Sequence, residues 1–193
     1  MKKLSLRHIS IIGIISLVNL TVVVHSADLG AKALSAALCK PAYSIAVADA
    51  LYREVEKSAK AEMYSGAAIY SLPNASEHDG FTARQLFVAG TSIGVLIDGE
   101  RADALAAKYQ LVKEDAGILM GYKENNRYAT YNQYTKGYAR SIAIDGKSQV
   151  FIYGVPGTIM IAARESKAFP GKTILACEFL SNYGRDNAKA IGR

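Results

Sequence analysis

The chain contains no tryptophan and only two cysteines among its 193 residues. Cys39 and Cys177 form no C-x-x-C pair, so the ligand spacing of a structural zinc site is absent. In an exported protein an even number of cysteines favours a disulfide. We therefore expect a Cys39–Cys177 bond that joins the N-terminal helical region to the last strand. Two buried free thiols are the alternative.

Histidine is also scarce: the chain has three, and His78 is the only one outside the first 26 residues. It lies in the polar stretch Glu77-His78-Asp79-Gly80, where a titrating side chain could meet a substrate. A solvated turn histidine beside two carboxylates fits the same pattern. Adjacent side chains of an extended segment point to opposite sides, so they do not converge on a metal ion. We expect neither a metal nor a cofactor.

The stretch from Gly90 to Gly94 matches the G-x-S-x-G pattern of serine hydrolases. A nucleophile elbow requires a helix directly after the serine, whereas the residues after Ser92 continue a strand pattern. The histidine of such a triad follows the serine, and His78 precedes it. His78, Asp79 and Ser92 are therefore weak catalytic candidates, and the two glycines better indicate a bulge or close strand packing.

The first 26 residues have the composition of a secretory signal peptide. Basic side chains come first, residues 9–24 are mostly apolar, and Ser26 closes the segment. A retained membrane anchor is the alternative, although the apolar run is shorter than the ~20 residues that span a bilayer. We predict a signal peptide over residues 1–26, cleaved near Ser26. A single domain over residues 27–193 follows, with no stable membrane span.

Long runs of basic residues are absent from the predicted domain. The whole chain carries a net charge of +6, and its first 26 residues hold three of the 23 basic groups and none of the 17 acidic ones. The remainder therefore has 20 basic and 17 acidic groups, whose signs alternate along the chain. Nucleic-acid binding requires a clustered basic face, so we expect no nucleic-acid partner.

The spacing of apolar residues changes from helical to strand-like along the chain. Helices early and strands late predict an α+β fold, in which N-terminal helices pack on a mainly antiparallel β-sheet. Asp98 is the predicted N-cap of the last helix, and residues 83–97 are predicted as two strands or as one bulged strand. The predicted helices are 28–38, 41–64 and 100–111; the predicted strands are 67–72, 83–97, 117–123, 127–136, 158–163 and 173–180; residues 73–82 are predicted as a polar loop.

Residues 137–154 predict a β-hairpin that turns at Asp145-Gly146, a dipeptide suited to positive φ. A two-residue turn would place Ile144 opposite Lys147 and mix apolar and polar side chains on each face. A three-residue loop with Gly146 in a bulge is preferred, because it separates the two faces. Its buried face would carry Tyr138, Ile142, Val150 and Ile152.

Tyrosines concentrate in the region predicted as sheet. Tyr128, Tyr131 and Tyr134 lie close in sequence to Arg127 and Asn132, whose side chains can bind polar groups. Tyrosine suits interaction surfaces and stacking against sugar rings, although it also has a high strand propensity. These five residues form the candidate ligand-binding patch.

Together these observations predict an exported bacterial protein, periplasmic or secreted, with a non-enzymatic binding role. The expected partner is a protein or a glycan in the envelope or outside the cell. One alternative is an envelope or extracellular hydrolase that uses His78 and Ser92. The other is a structural subunit of a secretion or surface assembly.

Overall fold

In the computed structural model of the protein, the described residues are 29–115, 119 and 133–182. The helices are α1 (residues 29–37), α2 (Ile45–Glu56) and α3 (Ala102–Tyr109). The strands are β1 (Glu62–Tyr64), β2 (Ala67–His78), β3 (Phe81–Ala89), β4 (Ser92–Asp98), β5 (Val112–Lys113), β6 (Tyr134–Ile142), β7 (Val150–Ile152), β8 (Val155–Ser166) and β9 (Lys172–Ser181).

The strands form one antiparallel sheet in the order β1-β2-β3-β4-β9-β8-β6-β5, and β7 continues the edge of β6 along β8. Two helices precede the sheet and the third lies between β4 and β5. The predicted α+β class is confirmed in this coarse form, with the sheet as the dominant element. No helix of the described residues is long and apolar enough to cross a membrane.

The sheet has a different core on each face. The helices pack on one face, where Leu51 and Val55 of α2 and Leu105 of α3 join the larger cluster of buried side chains. A smaller cluster lies on the other face, where Phe169 packs edge-on against Phe87 with ring centroids 6.0 Å apart. Alternate positions of the central strands therefore contribute to separate cores.

α2 begins later and ends earlier than predicted. The Val47 N–H donates to Ser44 Oγ at 3.2 Å, so Ser44 is the N-cap and the predicted start at Pro41 is wrong. The helix ends at Glu56, because residues 62–64 pair with residues 67–69 as β1. Met63, which falls within the predicted helix 41–64, lies in β1 instead and is 73% exposed.

The polar loop predicted over residues 73–82 is wrong. β2 continues to His78 and pairs with β3 through a tight turn at Asp79-Gly80. The register shifts between Ser71 and Ser76, and Pro73 lies in that interval. Proline cannot donate a ladder hydrogen bond and is tolerated at such irregularities. Pro73 therefore marks a break in the ladder and not the end of the strand.

Residues 83–97 form two strands joined at Gly90-Thr91, the first of the two predicted alternatives. Gly94 lies so close to β9 that a Cβ on it would overlap the carbonyl oxygen of Leu175 and the Cα of Ala176. Close strand packing thus explains this glycine of the G-x-S-x-G pattern. Ser92 begins a strand and is not followed by a helix.

The hairpin predicted over residues 137–154 has the wrong pairing. β6 pairs with β8, and the tight hairpin lies instead between β7 and β8. Asp145-Gly146 does form a turn, but Ile144 bridges Lys147, so the preferred three-residue register is also wrong. The side chains predicted to be buried all pack against the main core: Tyr138, Ile142, Val150 and Ile152.

Asp98 is not an N-cap. It ends β4 and forms ion pairs with Arg84 at 3.1 Å and with Lys172 at 2.9 Å. The start of α3 is capped from β9, because the Arg101 N–H donates to Thr173 Oγ1 at 2.7 Å. The helix consequently begins two residues later than predicted.

The strands predicted near the C-terminus are present and longer than expected. The predicted strand 158–163 lies within β8, and the predicted strand 173–180 lies within β9. The predictions for 117–123 and for most of 127–136 fall outside the described residues, apart from residue 119.

A disulfide joins Cys39 to Cys177, which confirms that prediction. Cys39 follows α1 directly, Cys177 lies 138 positions later in β9, and their Cα atoms are 5.0 Å apart. Both residues are buried in the main core. The bond therefore fixes the C-terminal end of α1 to a central strand of the sheet.

Candidate functional site

The structure does not bring His78 and Ser92 together. His78 ends β2 opposite Phe81, and Ser92 begins β4 opposite Ala89. Phe81 and Ala89 are the two ends of β3, and eight residues of strand span roughly 26 Å at about 3.3 Å per residue. Proton transfer requires hydrogen-bond reach or one bridging water, so these side chains do not act on the same atom.

Asp79 is held by neighbours from α3. Its carboxylate lies 3.3 Å from Lys108 Nζ, 3.2 Å from Tyr109 Oη and 3.5 Å from His78 Nε2. Burial alone would raise the Asp79 pKa, but hydrogen bonds from Lys108 and Tyr109 outweigh it and lower that pKa below its ordinary value. Burial and the Asp79 charge raise the pKa of Tyr109 to about 12. The group ties the β2–β3 turn to α3.

Ser92 lies beside a buried ion network centred on Arg164. The Arg164 guanidinium donates to both carboxylate oxygens of Glu114 at 2.7 and 2.8 Å. It also donates to both oxygens of Glu178 at 2.7 and 2.6 Å. The Ser92 hydroxyl donates to Glu178 at 3.4 Å. The Arg164 side chain is only 3% exposed, so these charges are almost fully removed from water.

The network lies on the face of the sheet opposite α1, α2 and α3, since Arg164 is directly opposite Ile174 of the smaller core. The Tyr134 ring stacks on the guanidinium, with its centroid 4.9 Å from Arg164 Cζ. Gly137 adjoins the network so closely that a Cβ there would overlap the Glu114 carboxylate. Hydrogen bonds on both carboxylates and a cation–π contact hold the arginine in one position.

This geometry changes the interpretation of the tyrosine patch. Tyr134 is half-buried and packs on Arg164 and the smaller core. Tyr128, Tyr131, Arg127 and Asn132 lie outside the described residues. The patch stays a prediction, and Tyr134 has a structural contact of its own.

An exposed acidic group lies between α3 and β6. Asp103 accepts a short hydrogen bond from Tyr138 Oη and another from Lys136 Nζ at 2.9 Å. The Tyr138 hydroxyl first, and then Lys136, stabilise the ionised form and lower the Asp103 pKa. The free energy that Asp103 contributes to folding is therefore present above its unfolded pKa and is lost as the pH falls through its folded pKa.

Asp103→Asn is expected to lower the urea midpoint of unfolding at neutral pH, with a difference from the wild type that shrinks below about pH 4. The measurement is the midpoint as a function of pH for both proteins. Asp145→Asn is the control, because asparagine also tolerates the left-handed backbone at Asp145 (φ 49°). A difference that grew on acidification would contradict the assigned contacts of Asp103.

A cleft of about 450 Å³ opens between α1 and α2. Its floor includes the buried side chains of Ala36 and Leu51. This volume falls within the ~300–1,000 Å³ range of small-molecule sites. The lining residues are Ala31, Lys32, Ser35, Ala36, Lys40, Pro41, Val47, Ala50, Leu51 and Glu54.

Both walls of the cleft are anchored in the core. The last turn of α1 ends with the hydrogen bond from the Lys40 N–H to the Ser35 carbonyl at 2.8 Å, next to the Cys39 disulfide. On α2, Val55 is fully buried and Tyr52 packs edge-on against Tyr70 with ring centroids 6.0 Å apart. The cleft is therefore preformed by packing and by a covalent link.

Neither feature was predicted from the sequence. Glu178 lies in a predicted strand and Arg164 directly follows one, and the signal for their pairing is a charged residue within an apolar run (ILACEFL) and another at the end of one (MIAARES). Charged residues are almost never fully buried unless they are paired. No comparable pattern in the sequence indicates the cleft, since α1, which forms one of its walls, has the composition of an ordinary alanine-rich helix.

Within the described residues, no group of three or more histidine, cysteine, aspartate or glutamate side chains could hold a metal ion. The chain matches no protein-family model, no curated protein and no solved structure.

Proposed function

We propose that this protein is a non-enzymatic binding protein of an oxidising compartment outside the cytoplasm, and that it holds a small apolar ligand between α1 and α2. The observation that carries the proposal is the preformed cleft with its apolar floor. Small-molecule sites are typically concave, largely apolar and preformed, with a few polar groups. The cleft has each of these properties.

The disulfide supports the proposed location outside the cytoplasm. Disulfides form and persist in secreted and periplasmic proteins and are rare where thiols are kept reduced. The Cys39–Cys177 bond fits such a location, as does the signal peptide predicted over residues 1–26. A periplasmic or secreted location is therefore part of the proposal.

The cleft also changes which partner we propose. The sequence pointed to a protein or glycan bound at a tyrosine patch, but Tyr134 is engaged with Arg164. The α1–α2 cleft instead offers a concave apolar surface next to the disulfide. We therefore place the binding role there and assign it a small ligand.

The test uses Nile red, a neutral fluorophore whose emission rises in apolar surroundings. We expect the oxidised wild type to bind it with one-to-one stoichiometry, and Ala50→Trp to abolish binding because the indole would fill the cleft from α2. Fluorescence titration measures both, and circular dichroism checks that the variant is folded.

Asp49→Trp is the matched control, because Asp49 is half-exposed on α2 and does not line the cleft. It loses only the surface ion pair with Arg53, worth about 0.3–0.5 kcal/mol. Binding should survive in this variant. Equal Nile red binding by Ala50→Trp and the wild type, or none by either, would overturn the proposed site.

A further inference from the structure

The charged side chains that line the cleft differ in whether they form an ion pair. Lys32 Nζ lies 2.9 Å from Glu54 Oε1, so these two side chains neutralise one another. Lys40 is exposed and forms no ion pair within the described part of the chain. Among the described residues that line the cleft, Lys40 is therefore the charged side chain without an ion pair to another described residue.

The floor of the cleft has a distinct chemistry. It is formed by small or aliphatic side chains, and no aromatic residue lines it within the described part of the chain. Sugar rings and other flat groups are typically bound by stacking on aromatic side chains. A saturated chain needs only apolar area without specific ring geometry. The apolar lining residues are Ala31, Ala36, Pro41, Val47, Ala50 and Leu51.

From these two observations we infer that the ligand is a single-chain aliphatic carboxylate, with its chain along the floor and its carboxylate at Lys40. This inference rests on the proposed function and names its ligand class. The single negative charge of a carboxylate complements the Lys40 ammonium, which has no ion pair within the described part of the chain. Each methylene removed from water contributes up to about 0.8 kcal/mol, so the chain provides most of the affinity and Lys40 selects the head group.

Competition against bound Nile red separates the head group from the chain. The competitors are dodecanoate, dodecanol and octanoate, each below its micellar concentration, with the oxidised wild-type protein. Dodecanoate should compete at a concentration about 3- to 10-fold lower than dodecanol. This factor lies between the gain in affinity expected from a fully exposed ion pair and that expected from a partly desolvated one. Octanoate should compete far more weakly, because it buries a shorter chain.

Lys40→Met should remove the advantage of dodecanoate over dodecanol. The affinity for Nile red is measured separately for each variant, so that the two competitors are always compared on the same protein. Lys60→Met is the matched control, since Lys60 is exposed and lies outside the cleft lining; it should retain the full advantage. Raising the salt from about 50 to about 500 mM should weaken dodecanoate competition in the wild type and in Lys60→Met but not in Lys40→Met, because ions screen an exposed charge pair.

The failures of the two proposals are distinguishable. If Nile red does not bind the wild type, the binding function itself is wrong. If Nile red binds but dodecanol competes as well as dodecanoate, or Lys40→Met keeps the preference, the carboxylate inference is wrong and the binding function stands. Competition by a dodecyl phosphate far below the concentration required for dodecanoate would assign the anion to phosphate and would likewise overturn the carboxylate.

Discussion

The double variant Cys39→Ala/Cys177→Ala should lose up to about 5 kcal/mol of its free energy of unfolding. The bond closes a loop of 138 positions. In the chain-entropy model such a cross-link lowers the entropy of the unfolded chain, which raises the free energy of that state by about 5 kcal/mol. Native disulfides typically contribute about 2–5 kcal/mol to the free energy of unfolding. Because whole domains are stable by only about 5–15 kcal/mol, the variant would lie near the limit of folding.

Urea unfolding measures this effect in the oxidised wild type, the reduced wild type and the double variant. The reduced protein should unfold at the lower midpoint of the variant, since both lack the cross-link. The single variant Cys39→Ala should resemble them, because Cys177 alone has no partner in the chain. Equal midpoints for the oxidised and reduced wild type would show that the bond does not constrain the unfolded state as argued.

Arg164→Met should lower the free energy of unfolding by about 3–5 kcal/mol, as expected when one partner of a buried ion pair is removed. Methionine retains much of the side-chain volume but leaves Glu114 and Glu178 buried without their common cation. The four hydrogen bonds that the guanidinium donates to these two carboxylates are lost at once. The loss of the cation shared by two carboxylates in a nearly dry site accounts for the size of the effect.

Arg84→Met is the matched control, because Arg84 also lies on the sheet and pairs with a carboxylate but is mostly exposed. Its loss should cost less than about 1 kcal/mol. If Arg164→Met does not fold, adding Glu114→Gln and Glu178→Gln removes the two stranded charges and should restore a cooperative transition. Similar unfolding midpoints for Arg164→Met and Arg84→Met would contradict the network's assigned role.

Local signals predicted the turns of this fold better than its strand partners. Asp145-Gly146 does turn, because its backbone preference is intrinsic to the dipeptide. The partner of β6 is β8, which begins at Val155. An alternating pattern of apolar residues within β6 does not specify which later strand it pairs with. The four side chains predicted to be buried are partly buried and do face the main core, because alternation assigns faces independently of partners.

Two other errors came from tertiary structure that overrides local preference. The helix predicted over residues 41–64 includes Met63, but residues 62–64 form β1, which pairs with β2 in a hairpin. Pro73, which suggested the end of a strand, lies where the β2–β3 register shifts. In both places the hydrogen-bonded pairing between strands determines the backbone conformation. The identity of a single residue indicates that pairing only weakly.

The candidate site was the least predictable part. The disulfide could be expected from the number of cysteines and the predicted export. The cleft could not, because it depends on how α1 and α2 pack together on the main core, which Cys39 and Val55 both join. Glu114 and Arg164 are 50 residues apart, so their contact appears only when β5, β6 and β8 are aligned.

The most direct test of the central claim is amide chemical-shift mapping by NMR, with dodecanoate titrated into the oxidised protein. We predict that the largest shifts cluster on the facing sides of α1 and α2, around Ala36, Lys40, Ala50 and Leu51. Shifts concentrated instead around Tyr134 and its neighbours on the opposite face of the sheet would contradict the account and return the binding role to the tyrosine patch.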